Sequence, residues 1–330
     1  MASTSCVPLV SVVTPFHNTA AYLRECIQSV LSQSYEHFEY ILQDNASNDG
    51  SSEIAREFTQ RDARIKYLRM DELVPQVSNY NLALERISPL SVYCKIVQAD
   101  DCIYKDCLRS MVDLAERSSQ IGLTSSFRLQ EKNVSGEDLH YTQSITSGRD
   151  VARLHLLGHD FLFGSPTTIL YRSEIVRKRR PFYSVGRLHE DTEACYEILG
   201  EWDFGFVHQI LSFSRASLDS IYGQMRQHDT GILDKRIVLH RYGRDFLTGS
   251  EFRTRTAEIE RRYYRRLANA LLSARGRAYW RFHRDGLATE GLRIAPVKLI
   301  RALGKELLSL LACPLQAVGL IRNWTRRPAD

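Results

Sequence analysis

Residues 9–14, Leu-Val-Ser-Val-Val-Thr, form a short β-branched run that ends at Pro15, the pattern of a buried strand feeding a loop. Over 19–33 the apolar positions Ala21, Leu23, Cys26, Ile27, Val30 and Leu31 recur at helical spacing, with Asn18 or Thr19 placed as an N-cap. A second strand, 38–43, stops at the turn-rich run from Asp44 to Gly50. The pattern then predicts a helix over 52–61, a strand over 65–68, a helix over 77–86, a strand over 92–98 and a helix over 106–118.

This alternation predicts an α/β fold with a mostly parallel sheet flanked by helices. Such sheets bind ligands at the carboxyl ends of their strands. Three loops leave strand ends there: Thr14 to Asn18, Asp44 to Gly50, and Asp100-Asp101. The stretch 119–240 is more irregular. It offers a strand over 121–129, a polar segment over 131–138, a helix from His189-Glu190-Asp191 to about 199, and a strand over 204–214. From about 241 the pattern is helical and rich in arginine. The expected division is therefore 1–240, in halves of about 8–118 and 119–240, followed by a helical C-terminal extension over 241–330.

Composition sharpens that division. With 43% hydrophobic and 25% charged residues the chain can build a sizeable core. The net charge of +5 is unevenly placed: residues 1–250 carry a net of −5 and residues 251–330 a net of +10. A basic tail on an acidic body calls for an anionic partner, a membrane surface or a nucleic acid. Seven cysteines, an odd number with no Cys-x-x-Cys spacing, argue against a zinc site or a disulfide scaffold and suit reduced thiols in the cytoplasm. The N-terminus lacks the pattern of a signal peptide, and no apolar run reaches the length of a membrane span.

The candidate chemistry begins at Asp100-Asp101. Two adjacent carboxylates behind a buried strand repel each other unless a cation sits between them. Mg²⁺ or Mn²⁺, which take oxygen ligands and keep waters and phosphates in their shell, would suit the pair. The plainer alternative is a solvated turn that caps the next helix.

The wider order of motifs resembles the family-2 inverting glycosyltransferases of the GT-A fold over roughly residues 8–215. Thr14-Pro15-Phe16-His17-Asn18 is similar to that family's P-x-x-N segment. Asp44-x-x-Ser47-x-Asp49-Gly50 resembles its D-x-x-S-x-D-G segment, Asp100-Asp101 its version of the D-x-D motif, and Glu190-Asp191 its E-D pair. A strict D-x-D would place its first carboxylate at position 98, where this chain has Gln98.

The resemblance implies a nucleotide-sugar donor, with a UDP-sugar favoured, a Mn²⁺ or Mg²⁺ cofactor, and an acceptor hydroxyl on a glycan or lipid-linked molecule. Thr14, Pro15 and Phe16 would line the base pocket, with Asn18 and Asn81 nearby. Asp44 would bond the base, Asp100 the ribose or metal, and Asp101 the metal. Asp191 would be the catalytic base, kept ionised by its place at a helix start. Glu190-Asp191 also reads simply as a first-turn acidic pair.

Other positions carry less. Lys95, inside an apolar strand, is expected to reach a phosphate or Asp44; Arg215 is expected at the diphosphate. Glu190, Ser165 and Thr167 are candidates for the acceptor side. His189, His208 and His228 read first as ordinary core or surface residues. The Q-x-x-R-W segment of processive synthases is missing around Gln224 to Gln227, which points to transfer of a single sugar.

In the tail, arginines from Arg253 to Arg284 interleave with Tyr263, Tyr264, Trp280 and Phe282. Farther on, Val297, Ile300, Leu307, Leu308 and Leu311 alternate with Lys298, Arg301 and Lys305. That pattern suits either an interfacial helix at the inner face of a membrane or a helical extension packed on the body. No nucleic-acid motif is present. Two other classes remain: a nucleotidyltransferase, which would want a Gly- and Lys-rich first loop, and a non-catalytic nucleotide-sugar-binding protein.

Overall fold

The computed structural model describes residues 7–136, 139–159, 162–163, 165–186, 189–215 and 228–312. The chain divides into two compact units, Met1–Ala216 and Ser217–Asp330. This boundary lies earlier than the one near 240 suggested by the helical pattern. The reason is local: the helix Thr230–Phe246 packs on the Arg-rich helix Gly249–Leu272 and so belongs with it.

The first unit is built on one ten-stranded sheet. Strands β1 (Val10–Phe16), β2 (Phe38–Asp44), β3 (Ile65–Arg69) and β4 (Tyr93–Ile96) run parallel. Helices α1 (Ala20–Leu31), α2 (Ser51–Arg61) and α3 (Gln76–Glu85) connect them. Every residue of β1, β2 and β4 is buried, which is why these strands show no alternation of polar and apolar positions.

The rest of the unit is mixed. It contains β5 (Cys102–Ile103), α4 (Cys107–Ala115), β6 (Ile121–Gln130), β7 (Asn133–Ser135), β8 (Ile145–Thr146), α5 (Gly148–Leu157), β9 (Leu170–Arg172), α6 (Ser173–Lys178), α7 (Glu190–Leu199) and β10 (Asp203–Ser214). The sheet order is β3-β2-β1-β4-β9-β6-β10-β5. Strand β9 is antiparallel to both β4 and β6, so the fully parallel character stops at β4. The sequence pattern missed β9 because three residues are too few to show a period.

Chain order reverses at β1, which lies between β2 and β4. The crevice beyond the carboxyl ends of β1 and β4 is thus the switch point where α/β sheets take ligands. Register brings the ends level: Phe16 is opposite Asp44, which is opposite Arg69, and the Val97 amide donates to the Val13 carbonyl at 2.9 Å.

The second unit is helical: α8 (Thr230–Phe246), α9 (Gly249–Leu272), α10 (Arg277–Ala288) and α11 (Pro296–Ala312). Helix α9 starts in a full capping box, Thr248 with Glu251. Tyr263, Tyr264, Leu267, Tyr279 and Leu287 form a buried interior. Arg236 lies over the Tyr263 ring at 4.7 Å, and the buried Arg255 pairs with Glu258 at 2.6 Å. The aromatic residues of this Arg-rich stretch are therefore largely core.

Candidate active site

The first two loops are laced together. Asn18, at φ 51°, donates its amide to Ser47 Oγ at 3.1 Å, and its side-chain oxygen accepts from the Asn48 amide at 2.9 Å. The Thr19 amide donates to Ser51 Oγ at 2.9 Å. Thr19, one of the two expected candidates, is the N-cap residue of helix α1, but its side chain makes no capping bond; Asp49 of the other loop accepts from the Ala20 amide at 2.9 Å. Gly50, at φ 98°, makes the left-handed turn that lets Asp49 reach across.

Several expected donor contacts are enclosed instead. Thr14 is fully buried, with its hydroxyl 2.9 Å from the Tyr40 hydroxyl. Pro15 and Phe16 are buried too, so only His17 and Asn18 of this loop are exposed. Asp44 is wholly enclosed. It accepts from the Ser47 amide at 2.8 Å, Ser52 Oγ at 2.5 Å, the Tyr67 hydroxyl at 2.7 Å and Arg69 Nη1 at 3.0 Å. Burial works against its charge, but the Ser52, Tyr67 and Ser47 donors outweigh it and hold the carboxyl below its ordinary range. Three of these donors meet Oδ2 and one meets Oδ1, so the carboxylate is already engaged within the protein.

Lys95 is likewise not where it was expected. Its ammonium donates to the carbonyls of Thr167 at 2.6 Å and Ile169 at 3.3 Å, and burial lowers its pKa. It pins the short 3-10 turn Pro166–Thr168 to β4. Asn81 turns both ends of its amide to Tyr183: it donates to that residue's carbonyl and accepts from its N–H, both at 2.8 Å. Thr167 serves the acidic loop, its hydroxyl accepting from the Gln98 amide at 3.1 Å. The Ser165 carbonyl holds Thr168, at 3.0 Å from its amide and 2.8 Å from its hydroxyl. Gly164 lies outside the described residues.

The acidic groups do converge. Asp101 is 3% exposed and accepts from Ser214 Oγ at 3.1 Å and from the Arg215 amide at 3.3 Å, which ties the acidic loop to the end of β10. Burial, and then the charge of Asp100, pushes Asp101 up to about 6. Asp100 is half-buried and is also raised by burial, with the Arg215 charge opposing. Arg215 bonds Glu25 and lies over the Tyr22 ring at 5.1 Å.

At the start of α7, burial and the neighbouring Asp191 charge push Glu190 up to about 7. Burial raises Asp191 as well, although His189 and the Thr192 amide, at 2.7 Å, oppose this. The helix start was expected to keep Asp191 low; desolvation outweighs the helix dipole.

Tyr80, which the sequence pattern passed over, joins the two acidic regions. Its hydroxyl accepts from Gln98 Nε2 at 3.4 Å, and its ring lies 6.2 Å from Tyr183. Burial, against the Gln98 bond, and then the charges of Asp100, Asp101 and Glu190 hold its phenol above the usual range. Its place on α3 at Val77, Tyr80 and Leu84 spacing reads as core, which is why it carried no signal. Ser214 was also missed, because only its long-range contact with Asp101 distinguishes it.

The remaining expectations resolve simply. His208 lies 3.1 Å from the Gln143 carbonyl, and His228 belongs to the second unit beside Phe282. The five described cysteines are free thiols, and Cys6 and Cys313 lie outside the described residues, as does the stretch Gln224 to Gln227. Among the described residues no cluster of three or more His, Cys, Asp or Glu could hold a metal alone. The donor set nonetheless fits a divalent cation that takes most ligands from diphosphate and water. Asp100 and Asp101 are raised, under-compensated carboxyls, and only Asp101 is committed to protein donors.

A mixed α/β sheet with acidic groups gathered at its switch point is the arrangement of the GT-A glycosyltransferases, and the chain matches the model of Glycosyl transferase family 2 over residues 11–180; it belongs to that family. Among curated relatives, the putative teichuronic acid biosynthesis glycosyltransferase TuaG of Bacillus subtilis is 33% identical over 141 residues, 42% of this chain and 55% of that protein. Glycosyltransferase GlyG of Streptococcus pneumoniae is 25% identical over 195 residues, 56% of this chain and 62% of that protein. The chain thus spans only somewhat more than half of these relatives. Among solved structures, S. aureus TarS 1-349 in complex with UDP-GlcNAc aligns at TM-score 0.60 and 13% identity, covering 84% of this chain and 79% of that one. The mannosyltransferase PcManGT from Pyrobaculum calidifontis, in complex with GDP-Man and Mn²⁺, aligns at TM-score 0.55 and 15% identity, covering 98% and 89%. At such identities the likeness establishes the fold. Among the described residues no helix is long and apolar enough to cross a membrane.

Proposed function

We infer that the protein transfers a single sugar from a nucleotide-sugar, with inversion, to an acceptor hydroxyl on a glycan or lipid-linked molecule. The observation that carries this reading is the path from Gln98 through the Tyr80 hydroxyl, at 3.4 Å, to Tyr183, 6.2 Å from the Tyr80 ring. It supports reading the acidic loop after β4 and the segment leading to Glu190-Asp191 as two parts of one site.

Asp191 is the base. As the acceptor oxygen forms its bond to the anomeric carbon, the bond to the diphosphate breaks and Asp191 takes the hydroxyl proton. Its raised pKa makes it a stronger proton acceptor than a solvated aspartate. Asp100 and Asp101 would hold Mn²⁺ or Mg²⁺, which when bound offsets the charge of the diphosphate. Asp100, without a side-chain partner among the described residues, is the better placed of the two to face it; Asp101 is the anchored member. Arg215, whose amide bonds Asp101 and whose guanidinium pairs with Glu25, is a cation tied to this loop that would serve the same diphosphate by exchanging Glu25 for it. Asn18 and the exposed edge of its loop are offered to the nucleotide in place of the enclosed Asp44.

The TarS complex makes a UDP-sugar the first donor to test. The acceptor belongs to cell-surface polysaccharide or glycoconjugate synthesis, as the name of the B. subtilis relative suggests. A cytoplasmic enzyme resting on the membrane through its basic C-terminal unit would meet such an acceptor.

Asp191→Asn tests the assignment. With the donor still bound at near wild-type affinity, both transfer and slow donor hydrolysis should fall by about 10²–10⁴-fold. Turnover at the wild-type rate would remove Asp191 from the mechanism. A non-catalytic binding protein would bind the donor and show no turnover with any acceptor.

A further inference from the structure

Helix α11 has two faces of opposite character. On one, Leu299, Ala302, Leu303, Glu306 and Leu310 are half-buried within the second unit. Glu306 pairs with Arg265 at 3.0 Å there, Lys298 pairs with Glu260 at 2.6 Å, and the Tyr264 hydroxyl takes the Ala295 amide at 2.9 Å. At 3.6 residues per turn the opposite face collects Val297, Ile300, Leu307, Leu308 and Leu311. They are 69, 69, 44, 67 and 80% exposed. The stripe is about 21 Å long at 1.5 Å per residue. Arg301 and Lys305, both exposed, run along one border of it and have no acidic partner among the described residues.

We propose that this outward face of α11 is a docking surface for an anionic phospholipid bilayer, with the exposed leucines and Ile300 entering the headgroup boundary and Arg301 and Lys305 at the level of the phosphates. Two observations select this occupant. The apolar stripe is bordered by uncompensated cations, and residues 251–330 as a whole carry a net of +10. A second copy laid on the same face would bring two such sets of cations together, whereas an anionic surface complements both parts. The half-buried opposite face holds the helix in place, so the stripe is presented rigidly and lies on the surface rather than across it. The proposal rests on the glycosyltransferase reading only for its purpose, which is to meet a membrane-held acceptor.

The test is flotation of the full-length protein with vesicles of phosphatidylcholine plus phosphatidylglycerol, against phosphatidylcholine alone. The mixed vesicles should capture the protein, and the neutral ones and high salt should release it. Arg301→Glu with Lys305→Glu should weaken capture at least about fivefold per residue, since each cation near such a surface contributes about 1 kcal/mol. Ile300→Glu with Leu308→Glu should abolish it, and no packed contact is lost because both side chains face outward. UDP-sugar binding, read by thermal shift on the same variants, should be unchanged. Equal flotation of the Ile300/Leu308 variant overturns the proposal. So does a dimer that this variant splits without any capture by lipid, or capture that begins only once residues 313–330 are removed. Vesicle capture without any nucleotide-sugar binding by the wild-type protein would instead defeat the active-site reading and leave the membrane face standing.

Discussion

The Asn81 amide brackets the peptide of Tyr183, 102 residues away, with two hydrogen bonds of 2.8 Å. This bracket fastens the segment leading to Glu190-Asp191 onto α3, the helix that also carries Tyr80. Asn81→Ala leaves a buried N–H and a buried C=O of Tyr183 without partners. The expected cost is about 2–6 kcal/mol in urea unfolding, at about 1–3 kcal/mol per orphaned group. Transfer should slow even where the protein is still folded. A loss below about 0.5 kcal/mol would show that the bracket does not hold this segment.

Asp44 makes a different prediction. Asp44→Ala should destabilise the fold by about 1–3 kcal/mol, because it removes the buried acceptor of the Ser47 amide and the Tyr67 hydroxyl, while Arg69 keeps the Ser47 carbonyl and Ser52 as partners. Donor affinity of the remaining folded fraction should stay within about twofold, within the scatter of an ordinary surface change. A selective loss of uridine nucleotides with normal stability would restore Asp44 to the base pocket.

The sequence pattern located most elements of the first half, because β1, β2 and β4 are β-branched or apolar runs bounded by strong turn signals. It also singled out the acidic loop and Glu190-Asp191 as candidates. What it could not supply was direction. Fully buried strands have no polar face, so nothing in the run Val10–Phe16 says that the Thr14 hydroxyl turns inward to Tyr40. Lys95 and Asn81 were misassigned for a related reason: their partners, Thr167 and Tyr183, lie 72 and 102 residues away. Only the antiparallel strand β9, with the turn that precedes it and the chain that follows it, brings them into contact.

The raised carboxyls give a pH dependence with a definite sign. Unfolded, Asp101 and Glu190 titrate near 3.8 and 4.5; folded, they hold protons to about 6 and about 7. Between those values the folded state binds more protons than the unfolded one, so stability falls as pH rises from about 4 to about 7. The span for Asp101 corresponds to about 3 kcal/mol. Metal-free melting temperatures should drop over this window, and less steeply in Asp100→Asn, which removes a charge that raises Asp101. A flat or rising profile would mean that the acidic pair is already compensated.

Glu190 should shape the rate profile as well. A protonated Asp191 cannot accept a proton, so turnover should climb with pH through the range in which the Glu190-Asp191 pair ionises, about 7 for Glu190. Glu190→Gln removes the adjacent negative charge and should move this limb to lower pH. A limb that stays in place in the variant would separate Glu190 from the proton transfer.

The central claim is that a nucleotide-sugar binds at the carboxyl edge of β1 and β4 through a cation held by Asp100 and Asp101. The most direct measurement is calorimetric titration of the protein with a UDP-sugar, with Mn²⁺ and with EDTA, for the wild type and for Asp100→Ala. The account predicts binding that needs Mn²⁺ and weakens at least about tenfold in the variant, a loss of about 1.4 kcal/mol. Binding of equal strength in EDTA and in Asp100→Ala would contradict it.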